Sequence, residues 1–288
     1  MGKMENKVVL ITGGGKGIGF GIATAFAKEG ANLVITGRTV SRLEDAQKTL
    51  EACGVSVLPV AADGGHEDEV KAAVRAAVDR FGKIDVLINN AQVSASGVML
   101  ADHTKEQFDL AINSGLYAAF FYMRECFPYL KETKGSVINF ASGAGLFDKP
   151  EQSSYAAAKE GIRGMSRVAA TEWGPFGINV IVVCPLVYTE SLDQWRREYP
   201  EVYEQTIKGI PLGRFGSAES AYSLYLKTPP TSAARPSPCR EAAGFGHNFF
   251  LPIISDWINF VLLLRLSRPC VSSAHIKQFF LISLINIF

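Results

Sequence analysis

The sequence predicts an α/β fold in which helices cover both faces of one parallel sheet. Short apolar segments rich in Val, Ile and Leu alternate with longer amphipathic segments between Lys7 and Pro185. Continuous apolar runs are typical of strands that are buried on both faces, and the alternation is typical of β-α-β units. Right-handed crossovers keep such strands parallel, so their carboxyl ends share one edge of the sheet, where ligands bind.

Each apolar run predicts a strand, and each amphipathic segment predicts a helix. The predicted strands are residues 7–12, 32–36, 55–61, 84–91, 135–142 and 178–185. The predicted helices are residues 23–30, 41–53, 67–82, 105–130 and 154–173. We expect a single domain, because 288 residues suffice for one large α/β domain and the chain shows no repeat beyond the β-α alternation.

The composition is ordinary for a globular protein and bears on the class of partner. Hydrophobic residues make up 48% of the chain and charged residues 20%, with a formal net charge of +1. We therefore expect small-molecule ligands and no nucleic-acid partner. The five cysteines lack the spacing of a disulfide framework or a zinc site, so we expect no metal. We expect a cytoplasmic location, because this cysteine usage suits a reducing compartment and the first apolar run meets glycines instead of a cleavage site.

The first predicted strand runs directly into a glycine-rich turn that opens a helix. The segment is TGGGKGIG, residues 12–19. Its candidate cofactor contacts are Gly13, Gly15, Lys16, Gly17, Ile18 and Gly19. Glycines let the backbone turn tightly and approach a pyrophosphate, whose charge is met by the amides at the helix N-terminus. A surface turn without a ligand is the alternative, and the flanking strand and helix argue against it.

Two charged residues after the second and third strands bear on the identity of the dinucleotide. Arg38 stands where Asp or Glu would bind a free ribose 2'-hydroxyl, and Lys16 lies in the glycine-rich turn. Together they favour NADP(H) over NAD(H), because an arginine there accommodates a 2'-phosphate. The alternative is that both are solvated surface cations. Asp63 is expected either to accept a hydrogen bond from the adenine amine or to cap a helix.

Asn113, Ser142, Tyr155 and Lys159 form the sharpest chemical signal in the sequence. Tyr155 and Lys159 are four residues apart on a predicted helix, so their side chains share one face, and Ser142 follows the fifth strand. A tyrosine with its ordinary pKa of about 10 is a poor acid or base at neutral pH, and an adjacent ammonium lowers that pKa by favouring the phenolate. Each residue alone is most often structural, but the group predicts proton transfer when it follows a nucleotide loop.

Residues 5 to about 219 resemble the short-chain dehydrogenase/reductase family. The segment TGGGKGIG matches the TGxxxGxG cofactor loop of that family, and NNA at Asn89–Ala91 matches its NNAG segment. Ser142 and the YAAAK of Tyr155–Lys159 match its Ser and YxxxK signature. The resemblance implies a Rossmann fold and hydride transfer between a nicotinamide dinucleotide and a carbonyl/secondary alcohol pair.

The resemblance also implies a role for each matched residue. Tyr155 is expected to be the general acid/base, and Lys159 is expected to lower its pKa and hold the nicotinamide ribose. Ser142 is expected to position the substrate oxygen, and Asn113 is expected to support a proton-relay water. Further cofactor contacts that the family implies are Asn90 and Ala91.

Three positions depart from the pattern of the family. Gln92 replaces the glycine of NNAG, which narrows the backbone freedom beside the cofactor. Pro185 is followed by Leu186 instead of glycine. Thr189 stands one position earlier than the Thr that binds the nicotinamide carboxamide in the family, and it is the candidate for that contact. None of these changes removes the proton-transfer group.

The composition changes abruptly near residue 220. Of the 28 acidic residues only Glu241 and Asp256 lie beyond Ser220, whereas six of the 13 prolines do. The usual family ending, a helix and a final strand followed by GG, is not recognisable there. We therefore expect a family domain over residues 1–219, a tail outside the family over 220–288, and a sheet whose final strand is missing or replaced.

The tail is compatible with a sequence in the wrong reading frame. If the first two bases of each codon are taken as the last two of the intended codon, residues 221–242 are compatible with CVFLVSEDASYVSGETFPVQGG, which resembles the family ending. We therefore infer a one-base frame change near Glu219 or Ser220. The alternative is a membrane anchor within FFLPIISDWINFVLLLRL, but Asp256 and Arg265 interrupt it, so we expect no membrane partner.

The expected function is that of an NAD(P)-dependent oxidoreductase that prefers NADP(H) and acts on a carbonyl or secondary alcohol. The substrate class stays open among a 3-oxoacyl thioester, a steroid and a sugar or polyol. From a different class, the alternative is a nucleotide-binding protein with little or no turnover because of the altered C-terminus. Relatives associate through the helices predicted at 105–130 and 154–173, so we expect a homodimer or homotetramer if the tail permits it.

Overall fold

The centre of the fold is a sheet of parallel strands. The computed structural model describes residues 2–146, 148–188, 190–210, 213–217 and 240–243. Within them the strands are β1 (Val8–Thr12), β2 (Asn32–Gly37), β3 (Val57–Ala61), β4 (Val86–Asn89), β5 (Ser136–Phe140), β6 (Asn179–Cys184) and β7 (Arg240–Ala243). Their order is β3-β2-β1-β4-β5-β6-β7, and every neighbouring pair is parallel. The predicted doubly wound parallel sheet is thereby confirmed.

Helices connect the strands, as the amphipathic segments predict. In the described part of the chain they are α1 (Gly17–Lys28), α2 (Val40–Glu51), α3 (Glu67–Phe81), α4 (Lys105–Ala111), α5 (Ala118–Thr133), α6 (Gly143–Leu146), α7 (Ser153–Trp173), α8 (Glu190–Glu198) and α9 (Pro200–Lys208). Short 3-10 turns lie at Leu100–Asp102 and Gly174–Phe176, and a π-helical segment lies at Ile112–Tyr117.

Two apolar cores flank the sheet, because successive side chains of a strand point to opposite faces. Val9 and Ile11 of β1 pack with residues of α1 and α2 on one face. Val8 and Leu10 pack with residues of α3, α5 and α7 on the other. Strands that are apolar on both faces are therefore covered on both sides, which explains the continuous apolar runs in the sequence.

The long helix predicted over residues 105–130 is interrupted in the structure. α4 ends at Ala111, the π-helical segment follows, and α5 begins at Ala118. A π-helical turn inserts an extra residue into the helical hydrogen-bond ladder and often occurs at functional sites. The apolar pattern continues through the turn, and the sequence therefore predicts a single helix. Asn113 lies within the interruption.

The tail supplies the last described strand of the sheet. β7 is four residues long and pairs with β6, with Ile181 opposite Arg240. The final strand is therefore replaced and not missing. The chain divides into two compact units, Met1–Gly244 and Phe245–Phe288, and the second lies outside the described residues. Two statements about the tail stay predictions: the division of the chain at residue 219 and the frame change. The frame change concerns residues that mostly lie outside the described ones.

The described part of the chain contains no helix that is both long enough and apolar enough to cross a membrane. The apolar segment weighed above as an anchor, residues 249–266, lies outside the described residues.

Candidate active site

The strand order creates a crevice at the carboxyl ends of β1 and β4. The chain leaves β1 toward β2 on one side and returns to β4 on the other, and ligands of open α/β sheets bind where the connections diverge in this way. A cavity of about 440 Å³ opens there. Nine of the predicted cofactor contacts line it: Gly13, Gly15, Lys16, Gly17, Ile18, Arg38, Asp63, Asn90 and Ala91.

The glycine-rich turn requires residues without a side chain. Gly13 and Gly17 have φ angles of +70° and +57°, which residues with a Cβ adopt only with strain. A Cβ on Gly19 would collide with the carbonyl oxygen of Gly13, so the first turn of α1 packs directly on the loop. No described side chain caps α1, which leaves its first backbone N–H groups for a ligand. The turn therefore fits a pyrophosphate, whose charge is favoured at a helix N-terminus.

Thr12 connects the end of β1 to the segment after β4. Its Oγ1 accepts hydrogen bonds from the backbone N–H groups of Asn90 at 2.9 Å and Ala91 at 3.0 Å. The side chain of Asn90 donates in turn to the carbonyl oxygen of Thr12 at 3.0 Å. Thr12 is the first residue of the matched loop motif, but it was not among the predicted cofactor contacts. It holds two predicted cofactor contacts in place.

Three cations line the cavity: Lys16 of the glycine-rich turn, and Arg38 and Arg42 after the end of β2. Nη1 of Arg38 lies 3.8 Å from Oδ2 of Asp63. This pair is loose and partly exposed, so a phosphate can compete for the arginine. Arg42 was not predicted, because nothing in the sequence shows that the first turn of α2 borders the cavity. The structure thus brings the predicted Lys16, Arg38 and Asp63 together.

Asp63 forms a local turn beside the cavity. Its Oδ1 accepts a hydrogen bond from the backbone N–H of Gly65 at 2.9 Å. α3 begins at Glu67 with His66 in the capping position, so Asp63 is not the helix cap that the sequence left as an alternative. Its position on the cavity wall agrees with a contact to the nucleotide.

Ser142, Tyr155 and Lys159 come together at the carboxyl end of β5. Ser142 follows β5, whereas Tyr155 and Lys159 lie one turn apart on α7. The side chain of Ser142 lies close enough to that of Tyr155 to lower the pKa of the phenol, and Oγ of Ser142 accepts a hydrogen bond from the N–H of Ala144 at 3.1 Å. Nζ of Lys159 donates to the carbonyl oxygen of Phe140 at 2.7 Å and lies 5.5 Å from the centre of the Tyr155 ring. The fold therefore assembles the three side chains into one group.

Burial dominates the electrostatics of this group. It raises the pKa of Tyr155 above the ordinary value, and the neighbouring side chain of Ser142 lowers that pKa by a smaller amount. It lowers the pKa of Lys159, which is 4% exposed, to about 7. The sequence predicted that Lys159 lowers the pKa of Tyr155. In the structure the pKa of Tyr155 is instead raised, and desolvation of the phenolate is the main cause. Burial likewise destabilises the charge of the Lys159 ammonium.

A buried arginine that the sequence analysis did not identify braces the catalytic group. Arg163 lies one turn beyond Lys159 on α7 and is 2% exposed. Its Nη2 donates to the carbonyl oxygen of Ser142 at 3.2 Å and to Sγ of Cys184 at 3.4 Å. Its Nε pairs with Glu160 at 3.1 Å. Arg163 therefore fixes the segment after β5 against the end of β6.

His103 connects the segment after β4 to the start of α7. Its Nε2 lies 2.9 Å from Oγ of Ser154, a buried residue adjacent to Tyr155. Nearby, the N–H of Gly97 donates to the carbonyl oxygen of Glu151 at 2.9 Å. The segment after β4 is thereby held close to Tyr155.

Two predicted residues have no established place in the group. Asn113 lies in the π-helical segment, whose Leu116 packs closely against Gly161 of α7, and its role in proton relay stays a prediction. Thr189 lies outside the described residues. Among the residues that the structure describes, no cluster of three or more His, Cys, Asp or Glu side chains is placed to hold a metal ion.

Comparisons with known proteins identify the family of the chain. Residues 7–200 match the family model described as short chain dehydrogenase. A 12alpha-hydroxysteroid dehydrogenase from Clostridium sp. is 62% identical over 226 residues, which cover 76% of this chain and 87% of that protein. A 3-oxoacyl-acyl-carrier-protein reductase from Thermotoga maritima is 33% identical over 229 residues, which cover 78% of this chain and 90% of that protein.

Solved structures share the fold. The crystal structure of levodione reductase is 30% identical, with a TM-score of 0.76, and the match covers 85% of this chain and 98% of that one. The crystal structure of an NAD+-bound xylitol dehydrogenase is 25% identical, with a TM-score of 0.72, and covers 78% of this chain and 92% of that one.

Proposed function

Because the chain belongs to the short-chain dehydrogenase family, we propose that it interconverts the 12α-hydroxyl and the 12-ketone of a steroid, with NADP(H) as its dinucleotide. Family membership makes it an oxidoreductase that acts on hydroxyl and carbonyl groups with a nicotinamide cofactor. The steroid substrate and the preference for NADP(H) go beyond what family membership shows. One observation carries the steroid: the fold assembles Ser142, Tyr155 and Lys159 in a chain that is 62% identical to a 12alpha-hydroxysteroid dehydrogenase. The cations that line the cavity support the preference for NADP(H).

The residues of the chain handle the proton of the reaction. The dinucleotide, when bound, supplies the hydride in reduction and accepts it in oxidation. In oxidation the phenolate of Tyr155 takes the proton of the substrate hydroxyl while the hydroxyl of Ser142 donates a hydrogen bond to the substrate oxygen. In reduction Tyr155 returns the proton to that oxygen. The ammonium of Lys159 favours the phenolate through its charge.

The residues around the cavity fit a dinucleotide that carries a 2'-phosphate. The glycine-rich turn would hold the pyrophosphate, and Asp63 would accept a hydrogen bond from the adenine amine. Lys16, Arg38 and Arg42 would surround the 2'-phosphate. An acidic residue at the end of β2 would favour NAD(H), and the residue there is Arg38. Three cations exceed what a free 2'-hydroxyl needs, which supports NADP(H).

Exposed apolar side chains border the segments that follow β4 and β6. Met99 and Leu100 are 58% and 71% exposed, and Leu186 and Tyr188 are each 40% exposed. Such a surface suits the ring system of a steroid better than a sugar, whose hydroxyls need hydrogen-bonding partners. These side chains support the choice of a steroid among the substrate classes.

Turnover of a substrate panel tests the proposal. The purified chain is mixed with NADPH or NADH and with a 12-oxo steroid, a 3-oxoacyl thioester or a ketose, and dinucleotide consumption is followed by fluorescence. We expect NADPH to be consumed with the 12-oxo steroid. The Tyr155→Phe variant should lower kcat by about 10²–10⁴-fold, the usual contribution of a general acid, and should leave the Kd for NADPH nearly unchanged.

A matched variant and three outcomes make this test decisive. Tyr129→Phe removes a hydroxyl near the end of α5, at the amino ends of the strands, and should keep wild-type turnover. Consumption with the thioester but not with the steroid would contradict the proposed substrate. Faster turnover with NADH would contradict the preference for NADP(H). NADPH binding without turnover of any substrate would favour a nucleotide-binding protein.

We also propose that copies of the chain associate through α5 and α7 as a homodimer or homotetramer. Phe120 and Val168 expose apolar side chains on these helices, which supports such an association. Light scattering that finds monomers alone at micromolar concentration would contradict it. The thiols of Cys53 and Cys126, which form no disulfide in the described part of the chain, support a location in the cytoplasm, where thiols stay reduced.

A further inference from the structure

A buried arginine lies beside the catalytic group, and the proposed chemistry does not use it. Arg163 is 2% exposed and lies on α7, two turns beyond Tyr155 and one turn beyond Lys159. A guanidinium keeps its charge in proteins, and its burial is unfavourable unless its N–H groups are paired. The groups that it contacts therefore indicate its role.

Two of these contacts hold the short segment that carries Ser142. Nη2 of Arg163 donates to the carbonyl oxygen of Ser142 at 3.2 Å. Nε of Arg163 pairs with Oε2 of Glu160 at 3.1 Å, and a Cβ on Gly145 would lie 2.6 Å from Oε1 of Glu160. The carboxylate of Glu160 therefore packs directly on the backbone of α6. The ion pair thus holds the backbone from Ser142 to Gly145 against α7.

A third contact ties the same guanidinium to the end of β6. Its Nη2 also donates to Sγ of Cys184 at 3.4 Å. Just before Ser142, the N–H of Ala141 donates to the carbonyl oxygen of Val183 at 2.9 Å. The segment that follows β5 is therefore fixed from two sides, by β6 and by α7. The planar guanidinium can hold all three groups because its donors have a fixed geometry.

The side chain of Ser142 is the group that this arrangement would orient. Its Oγ accepts a hydrogen bond from the N–H of Ala144 at 3.1 Å, so its direction depends on the backbone between these two residues. It lowers the pKa of Tyr155, against the larger upward effect of burial. Lys159 on α7 and Cys184 at the end of β6 also lie near the phenol. The position of the backbone after β5 therefore decides how strongly Ser142 acts on Tyr155.

We propose that Arg163 is a positioning residue, which holds the hydroxyl of Ser142 toward Tyr155 and the substrate oxygen. It acts through Ser142 and not by contact with the substrate or the dinucleotide. Glu160 supports it by pairing with the guanidinium on the half-exposed side of the pair. The inference rests on the proposed function, because the orientation of Ser142 matters only if Tyr155 exchanges a proton with a substrate.

A double-mutant cycle on the purified full chain tests this role. Oxidation by NADP+ of a 12α-hydroxy steroid, or of a 3-hydroxyacyl thioester if the wild type prefers it, is measured across pH for Arg163→Met, Ser142→Ala and the double variant. Arg163→Met should lower kcat about ten- to hundredfold, as misplaced groups at a site do, with little change in the Kd for NADP+. The rise of kcat/KM with pH should move to higher pH, because Tyr155 loses the effect of Ser142 on its pKa.

The Ser142→Ala background separates positioning from other roles. There the loss of the arginine should change kcat less than about twofold, because the residue through which it acts is already removed. Arg163→Lys keeps a buried cation where methionine prevents folding, but an ammonium cannot bridge the three groups. It should show a smaller decrease in kcat with the same dependence on Ser142. The exposed Arg75 of α3 is the matched control, and Arg75→Met should behave as the wild type.

Two results would overturn the inference alone. One is an equal loss of kcat in the wild-type and Ser142→Ala backgrounds, which would indicate a direct effect of the guanidinium charge on Tyr155 or general damage to the fold. The other is a lower thermal midpoint of Arg163→Met with the kcat and pH profile of the wild type, which would indicate a purely structural role. A wild-type chain that turns over no substrate of the panel would overturn the proposed function and the inference together.

Discussion

A lysine enclosed by protein is unfavourable for the folded state, and Lys159 is such a residue. Its ammonium donates to the carbonyl oxygen of Phe140 and lies beside the ring of Tyr155. Burial lowers its pKa to about 7, so protonated and neutral forms are similarly populated near neutral pH. Residues whose pKa is strongly shifted cluster at functional sites, because the chemistry of a site requires such shifts even where they destabilise the folded state.

The lowered pKa of Lys159 predicts a pH dependence of stability. Between about pH 7 and the ordinary lysine value the unfolded chain binds this proton and the folded chain does not, so stability rises with pH. From pH 7 to pH 8.5 we expect this group to add about 1–2 kcal/mol to the free energy of unfolding. Lys159→Met should remove that increment, as urea unfolding at the two pH values without dinucleotide would show.

An exposed lysine provides the matched control for this measurement. Lys48 on α2 is 78% exposed, and Lys48→Met should keep the pH dependence of the wild type. The window ends at pH 8.5 because burial also raises the pKa of the Cys126 thiol, which makes stability fall at higher pH. An equal pH dependence in the two variants would show that Lys159 is not the titrating group.

The sequence was sufficient to predict the residues that take part in proton transfer. It was not sufficient to predict the residues whose role depends on how they are packed in the fold. Tyr155 and Lys159 were recognisable because proton transfer needs a phenol and a nearby cation. Arg163 was not, since an arginine on an amphipathic helix is usually a solvated charge, and only the packing of α7 buries it. The burial of the Gln92 carboxamide against Gly115 depends on packing between segments that are distant in the sequence, which no local pattern contains.

At the scale of elements, β1 and β4 are joined by side chains at both ends of their ladder. At the amino end, Asp85 accepts from the backbone N–H of Val8 at 2.9 Å and pairs with Lys7 at 2.7 Å. At the carboxyl end, Oγ1 of Thr12 accepts from the backbone N–H groups after β4. The junction that carries the dinucleotide is therefore held by specific hydrogen bonds beyond the strand pairing.

Substitution of Thr12 tests this junction. Thr12→Val keeps the shape of the side chain but leaves the N–H groups of Asn90 and Ala91 without their acceptor. We expect it to lower the free energy of unfolding by about 1–3 kcal/mol and to weaken NADPH binding. Thr12→Ser keeps the oxygen and should lie much closer to the wild type. Urea unfolding of both variants gives the comparison, and a valine variant as stable as the serine variant would argue against the role of Oγ1.

The strands were more predictable than the breaks between helices. Buried parallel strands require continuous apolar runs, so β1 to β6 follow directly from the sequence. The π-helical segment does not, because the apolar face runs through it unchanged and the extra residue is accommodated by packing against α7. The position of Asn113 within that turn could therefore be predicted only as part of a long helix.

At the scale of the whole molecule, the β7 edge of the sheet departs most from the pattern of the family. β7 has four residues, begins with Arg240 and Glu241, and pairs with an apolar β6. Charged residues are unusual in a strand that completes a buried parallel sheet. The sequence indicated a foreign tail by its composition, but it could not show that a short stretch of that tail would take the place of the missing strand.

Restoration of the inferred reading frame should stabilise the molecule. Replacement of residues 221–242 by CVFLVSEDASYVSGETFPVQGG should raise the thermal midpoint by about 5–10 °C, equivalent to a few kcal/mol for a domain of this size. Removal of residues 245–288 from both chains serves as the control, since it leaves the compared segments unchanged. Equal midpoints for the two chains, or an independently confirmed in-frame gene, would contradict the frame change.

The central place of β1 has a consequence during synthesis on the ribosome. β2 ends at Gly37 and can pair with one side of β1 early, but β4, which covers the other side, begins only at Val86. At about 5–20 residues per second, the nascent chain exposes an apolar strand edge for roughly 3–10 s. We expect chaperones that bind extended apolar segments to engage the chain in this interval, before the dinucleotide can find a complete binding surface.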